Sequence, residues 1–546
     1  MGDARSFGAN HGRTSREPFV TIPTSLMFVV EFPALVILLE RTFYFSHEEL
    51  SGALLKCSSY QTLHRTTSTR IFFMVNAVEK LPTGEVRLPG NRRLNLIPLV
   101  GVIFFIVCGG AYGLEPLVGA VGPGWAVLFV LITPVFWSLP IALMVAELSS
   151  SMPAEGGYYV WVRQALGEFW GLQAGWWAIC YMMVDLAVYP VLFVNYLAYF
   201  YPALQFDEYG SGSWQVYLTR WAIAFAVIVV AFVFNLRGAR SVGHSSAVNL
   251  GLVVIPFALI VVGALSHQGA LGRSITAVSN DLRNGPSSGL MTLGLSIILW
   301  NYMGWDDVST FAAEVNNPKR NYPRAIAVAM MLTIGVYFVP LFAGLSITTD
   351  PTLWSEAKGW PDISVLLGGR GLGLVVGIGA LFSTWSLFNG QLLYVSRLPY
   401  AMALDGWLPS PLRIVSKRTG VPILSVVLVC CVASICAGLS FGKLIVIDVL
   451  LYSSVLLLEF ISLIVLRKKK PEMLRPFRVP GGWFGVVSIT IAPMACAGLL
   501  LATSLTGENA DPRQALVVTI AIAVGVLIYS LKRSKGASNG RGSADN

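Results

Sequence analysis

The chain has 546 residues, of which 55% are hydrophobic and only 12% charged. That balance excludes an ordinary soluble globular protein, and its repeated apolar runs of ~20 residues match a hydrocarbon core ~30 Å thick. The formal net charge of +9 suits anionic lipid headgroups and loop sidedness, so the bilayer, and not nucleic acid, is the expected partner.

Residues 1–90 do not match the rest. Ser25 to Leu39 is apolar, but Glu31 and Pro33 interrupt it and Glu40-Arg41 close it, so it makes a poor spanning segment. The start lacks the basic, short apolar and small-residue pattern of a cleaved secretory signal. This region is expected to be a poorly ordered or loosely attached extension. The polytopic membrane domain is placed at 91–535, followed by a cytoplasmic tail at 536–546.

Twelve spans are predicted, near 94–121, 124–149, 170–201, 214–235, 244–265, 289–314, 324–348, 366–396, 422–440, 443–466, 484–505 and 512–531. The expected fold is therefore all-α and integral to the membrane. Basic residues crowd alternate loops, at Arg237 and Arg240, Lys319 to Arg324, Arg413 to Arg418, Arg467 to Arg478 and Lys532 to Lys535. The other loops hold only Arg220, Arg273, Arg283, Lys358, Arg370, Lys443 and Arg513. The positive-inside rule then puts both termini in the cytoplasm. Six of the cysteines lie in apolar runs, which argues against a disulfide framework.

Two spans are interrupted where they should be uniformly apolar. The first holds Gly109-Gly110-Ala111-Tyr112-Gly113-Leu114-Glu115, the sixth Trp300-Asn301-Tyr302-Met303-Gly304-Trp305-Asp306-Asp307. Unwound backbone at membrane depth is tolerated only where protein or a water-filled cavity surrounds it, and paired breaks point to the central site of a secondary transporter. Breaks five spans apart imply two five-helix repeats of inverted topology, near 94–265 and 289–466, with two further helices.

Acids within the apolar runs are Glu115, Glu147, Asp185, Asp306, Asp307, Glu314, Asp448 and Glu459, while no Lys or Arg sits well inside a span. A carboxylate at mid-helix costs ~2.5–3.5 kcal/mol on insertion scales, so each needs a partner, a proton or water. Glu147, Glu314 and Glu459 lie toward inner helix ends, where solvation or helix-end bonding accounts for them. Asp448 is expected near the outer surface. Glu115 and Asp306 sit at the breaks and are expected to face one cavity and pair with a cationic cargo. Asp307 is either an N-cap or hydrogen-bond anchor for the second half-helix or a proton-coupling acid. Asp185, deep in the third span, is either a proton carrier or a packing hydrogen bond, and Glu314 is a second proton candidate. Half-helix N-termini suit a substrate carboxylate, but Glu115 would repel one, which favours an amine without a carboxylate. Gly109 and Gly110 supply the first turn. Tyr112, Trp300, Tyr302 and Trp305 offer rings for methylene contact and cation–π attraction, ~0.5–2 kcal/mol each. Trp300 is expected to stack on the cargo, with Trp305 or Tyr302 closing the pocket. Tyr181, Trp385, Tyr394 and Tyr452 in other spans are either further contacts or packing.

Four segments carry a family resemblance: LNLIPLVGVIFFIVCGGAYGLE at Leu94–Glu115, AELSSSMPAEGGYYVWV at Ala146–Val162, LWNYMGWDDVSTFAAEVNNPKRNYPRA at Leu299–Ala325 and SRLPYAMALDGWLP at Ser396–Pro409. They resemble the amino acid–polyamine–organocation superfamily, specifically its plant-type polyamine uptake transporters, over about 94–531. The resemblance implies the leucine-transporter fold and proton-coupled uptake of putrescine, spermidine or spermine, with paraquat as a related dication; the expected location is the plasma membrane, with an endomembrane as the alternative. It also implies substrate recognition by an aromatic and an acid of the sixth span, here Trp300 and Asp306. Residues 1–90 depart from the pattern. A cationic or neutral amino-acid carrier on the same fold is the alternative. No cofactor is expected, and the five histidines form no HExxH pair or Cys/His cluster, which argues against a metalloenzyme.

Overall fold

The structure, a computed structural model, describes residues 94–152, 157–205, 214–237, 239–285, 291–310, 315–355, 358–439, 441–506 and 512–541. The N-terminal extension, Glu155, Gly156 and Glu314 lie outside the described residues. The described residues belong to one compact unit, Asn76–Asn546.

Every described element is helical apart from one isolated parallel bridge between Leu94 and Val315. In chain order, the first predicted span becomes α1 (Leu96–Val107) and α2 (Glu115–Val121). The second becomes α3 (Pro123–Thr133) and α4 (Leu139–Ser151), joined by a π-helical turn at Pro134–Ser138. Pro134 and Pro140 each remove an amide donor there, which a widened turn accommodates. Next come α5 (Gly157–Leu166), α6 (Glu168–Phe200), α7 (Trp214–Asn235), α8 (Ala239–Ser266) and α9 (Ala270–Asn284). Then follow α10 (Met291–Asn301), α11 (Pro318–Gly344), α12 (Trp360–Val395), α13 (Arg397–Leu404) and α14 (Ile423–Cys436). Last are α15 (Phe441–Lys469), α16 (Gly482–Thr506) and α17 (Pro512–Arg541). The final helix thus carries the chain into the region predicted as a tail.

Among the described residues eight helical segments, counting α3 with α4 and α12 with α13 as one each, are long and apolar enough to cross a membrane, nine if the bent pair Gly251–Ser266 and Ala270–Asn284 is one unit. That pair turns by 97° at its break. Helix α9 was not anticipated, although Leu271, Ile275, Val278 and Leu282 recur at helical spacing. It packs on the start of α3, where the Asp281 carboxylate accepts the Gly124 and Trp125 N–H groups at 2.9 and 3.3 Å.

The layering follows from which helices are apolar on every face. Helices α6 and α15 pack against each other at the centre, and most of their spanning windows are buried. Helices α7, α16 and α17 expose Phe225, Ile491, Leu516, Ile520 and Leu527. For a helix facing hydrocarbon, such exposure costs nothing.

Candidate functional site

Both interruptions exist as breaks in the backbone. Helix α1 stops at Val107, Cys108 is extended, and Gly110 and Gly113 take φ of 95° and 84° before α2 starts at Glu115. Helix α10 stops at Asn301, and Gly304 takes φ of 88° before a short 3₁₀ turn at Asp307–Thr310. Left-handed φ costs an L-residue ~1–2 kcal/mol, which explains glycine at these hinges.

The carbonyls freed by the breaks are stitched by side chains of neighbouring helices. The Tyr337 hydroxyl on α11 donates to Asn301 O at 2.9 Å and is 3.4 Å from Val107 O, so one side chain holds both helix ends. Trp360 Nε1 donates to Ala111 O at 2.7 Å, and the Ser383 hydroxyl donates to Gly109 O. Asn301 Nδ2 reaches across to Gly113 O at 3.4 Å. At the far flanks, Asn316 N–H donates to Leu94 O at 2.8 Å and Asn316 Nδ2 to Asn95 Oδ1 at 3.1 Å. Irregular backbone at membrane depth is thereby paid for with protein donors.

Between the breaks lies a cavity lined from α6, α12 and both unwound segments. It leaves about 20 Å³ for the centres of water-sized molecules, room for one or two waters at ~10–15 Å³ each. Asp185 from α6 is its central acid. Trp300 Nε1 donates to Asp185 Oδ1 at 2.8 Å, and the Tyr189 hydroxyl lies 3.3 Å from both carboxylate oxygens. The Tyr189 and Trp300 rings stack with centroids 6.0 Å apart. Asp307 also lines the cavity and accepts the Tyr181 hydroxyl.

The structure therefore brings together Gly109, Tyr112 and Trp300 with the two acids Asp185 and Asp307. Tyr112 donates to Val376 O at 2.9 Å, and Gly110 packs beside the cavity against Val253. Neither Glu115 nor Asp306, the two acids expected to face one cavity, lines this one. Glu115 turns back on its own break, accepting Gly113 N–H at 2.7 Å, the Tyr196 hydroxyl at 3.0 Å and Trp360 N–H at 3.3 Å. Asp306 turns toward α15, where the Tyr452 hydroxyl donates to its Oδ1 at 2.5 Å. Tyr302 is buried with its hydroxyl on Val130 O at 3.0 Å, and Trp305 is fully buried. Neither ring lines the cavity.

The amino acid permease family model matches residues 94–528, which takes in both breaks. The chain belongs to the amino acid permease family. This permease is 34% identical over 461 residues to polyamine transporter PUT1 of Oryza sativa subsp. japonica, covering 83% of this chain and 81% of that one. It is 33% identical over 442 residues to polyamine transporter RMV1 of Arabidopsis thaliana, covering 80% and 84%. The serine/threonine exchanger SteT of Bacillus subtilis (strain 168) is 24% identical over 440 residues, covering 76% and 95%.

Three other acids of the permease depart from expectation. Glu147 is not solvated; it is buried, and Arg467 Nε donates to it at 2.8 Å, Val479 N–H at 2.7 Å, with Arg475 Nε 3.4 Å away. The basic loop expected to mark sidedness reaches back and neutralises it. Asp448 is fully buried, not near a surface, and neither carboxylate oxygen has a hydrogen-bond partner. Glu459 is likewise fully buried and partnerless. Helix α15 turns both acids inward because it is central to the bundle, which a hydropathy profile does not encode. Sequence reasoning also missed Tyr189, Tyr196, Tyr337 and Gln391. Two signals were available: Tyr189 stands one turn from Asp185, and Gln391, with Asn389 two residues before it, puts an amide within an apolar run.

Proposed function

We propose that this permease is a proton-coupled importer of polyamines, built from twelve spans with a leucine-transporter-type inverted repeat and both termini cytoplasmic. The plasma membrane is its proposed location. The observation that carries the reading is the cavity between the two breaks, which presents two acids, Asp185 and Asp307, beside the Trp300 and Tyr189 rings. A flexible chain of methylenes bearing ammonium groups needs carboxylates for its charges and ring faces for its apolar links. Paraquat, a dication with apolar rings, meets the same demands. The relatives named as polyamine transporters support the cargo class.

The first break supplies the contrast with an amino-acid carrier. In such a carrier the amides at a broken helix greet the substrate carboxylate. Here the Gly113 N–H is already held by Glu115 and by the Tyr196 oxygen, 3.0 Å away. The breaks and the basic loops support the repeat and the orientation. The cavity is too small for a polyamine, so loading requires the break segments to part.

Uptake of labelled putrescine and spermidine into proteoliposomes, with and without an inward proton gradient, tests the proposal. Saturable accumulation stimulated by the gradient is expected, with weak competition by arginine and leucine. Accumulation of arginine or leucine in place of putrescine would return the permease to amino-acid transport. A cysteine at Lys468 should resist impermeant labelling in intact cells while one at Arg283 reacts.

A further inference from the structure

We propose that Glu459 and Asp306 share the proton that drives transport, at a site separate from the cargo cavity. The cargo in this inference rests on the polyamine reading above, whereas the proton site rests on its own geometry. Glu459 lies on α15 and is fully buried, with neither carboxyl oxygen in a hydrogen bond. Its carboxyl faces that of Asp306, whose Oδ2 is also partnerless. The titratable groups around the pair are Asp307 from the break, Tyr158 from α5, Tyr181 from α6 and Tyr452 from α15. Among the described residues no ion pair reaches either acid. Two carboxyls facing each other in a dry surround cannot both be ionised, so the pair holds a proton. Asp306 Oδ1 already accepts the Tyr452 hydroxyl. That donor stabilises Asp306 as the charged member and leaves Glu459 as the acid, its O–H aimed at Asp306 Oδ2.

The link to cargo is the peptide bond between Asp306 and Asp307. These neighbours face opposite ways, Asp307 into the cavity and Asp306 onto α15. Movement of the second break when an ammonium group reaches Asp307 pulls Asp306 from Glu459. Glu459 then loses its carboxylate neighbour, and once the cavity opens to the inside its proton passes to the water admitted there. No bond other than O–H breaks or forms. Asp448, the other partnerless acid of α15, interacts with Asp185, an acid of the cavity lining, and so belongs to the cargo end. Tyr452 stands between the two acids on the helix, separating the two functions.

The test uses the full chain in two measurements. In the infrared spectrum at about neutral pH, the carbonyl band of protonated carboxyls should lose amplitude in Glu459→Gln relative to wild type. An unchanged band would mean that Glu459 is ionised, which overturns the proposal. In proteoliposomes, Glu459→Gln should exchange internal for external putrescine within about twofold of wild type, yet lose stimulation by an inward proton gradient. Retained stimulation overturns the proposal as well. If Glu459→Gln does not elute from gel filtration as wild type does, Glu459→Met, of similar length and suited to an apolar surround, replaces it with the same expected results. If wild type carries no putrescine, the polyamine reading falls while the infrared result still decides where the proton sits.

Discussion

At the first break, Glu115 accepts two backbone N–H groups and a tyrosine hydroxyl. At the second, Asp306 accepts one tyrosine hydroxyl and leaves an oxygen without a partner. Both segments are unwound by glycines with left-handed φ, and both bury an acid. The difference is in the donors. A buried carboxylate ringed by donors keeps its place, whereas one short of donors stays costly until a proton or cation arrives. An acid at a membrane break is thus not a cargo ligand by position alone. On this comparison the first break is scaffold around Glu115, and the second is the working half.

The largest effect is expected at Glu115. In Glu115→Ala, Gly113, Tyr196 and Trp360 lose an acceptor inside the protein, at ~1–3 kcal/mol for each donor left alone. A loss on the order of 3 kcal/mol is expected, read as a large fall in the thermal midpoint in detergent. If the midpoint holds while putrescine affinity collapses, Glu115 is a cargo ligand and the two breaks are alike.

Asp185 should show the opposite pattern. Asp185→Asn keeps an oxygen for Trp300 Nε1 but removes the charge that meets an ammonium group. A charge-assisted contact is worth ~1.5–3 kcal/mol, so apparent putrescine affinity should fall ~10–100-fold with little change in melting. Full affinity in that variant would make the Asp185–Trp300 bond a packing device.

The breaks themselves could be read from the chain because glycine beside acid at membrane depth has few explanations. The orientation of each acid could not. The donors that turn Glu115 inward come from positions 81 and 245 residues away along the chain, and those that neutralise Glu147 from 320 residues away. Local pattern carries no information at that range. The same limit explains Asp448 and Glu459: periodicity identifies an apolar helix, but α15 is apolar on every face, so its sequence does not say which side meets the bundle centre.

Trp300 gives a smaller effect, and it separates ring from hydrogen bond. Trp300→Phe keeps a ring beside Tyr189 and drops the donor to Asp185, while Trp300→Ala drops both. Cation–π contacts of ~0.5–2 kcal/mol predict a ~2–30-fold loss of putrescine affinity in the alanine variant and less in the phenylalanine one. Equal loss in both, with unchanged melting, would assign the effect to the indole N–H.

The smallest expected effect concerns the flanks, where the two breaks are tied to each other. Asn316 Nδ2 meets Asn95 Oδ1 at 3.1 Å, and both side chains are exposed. Water replaces such a bond readily, so its net worth lies at the low end of ~0.5–1.5 kcal/mol. The backbone bond from Asn316 N–H to Leu94 O, at 2.8 Å, survives in Asn316→Ala because alanine keeps the donor. Melting should therefore fall by ~0.5 kcal/mol, and uptake should be unchanged. A large loss of uptake with intact folding would show that this side-chain tie sets how far the second break moves relative to the first.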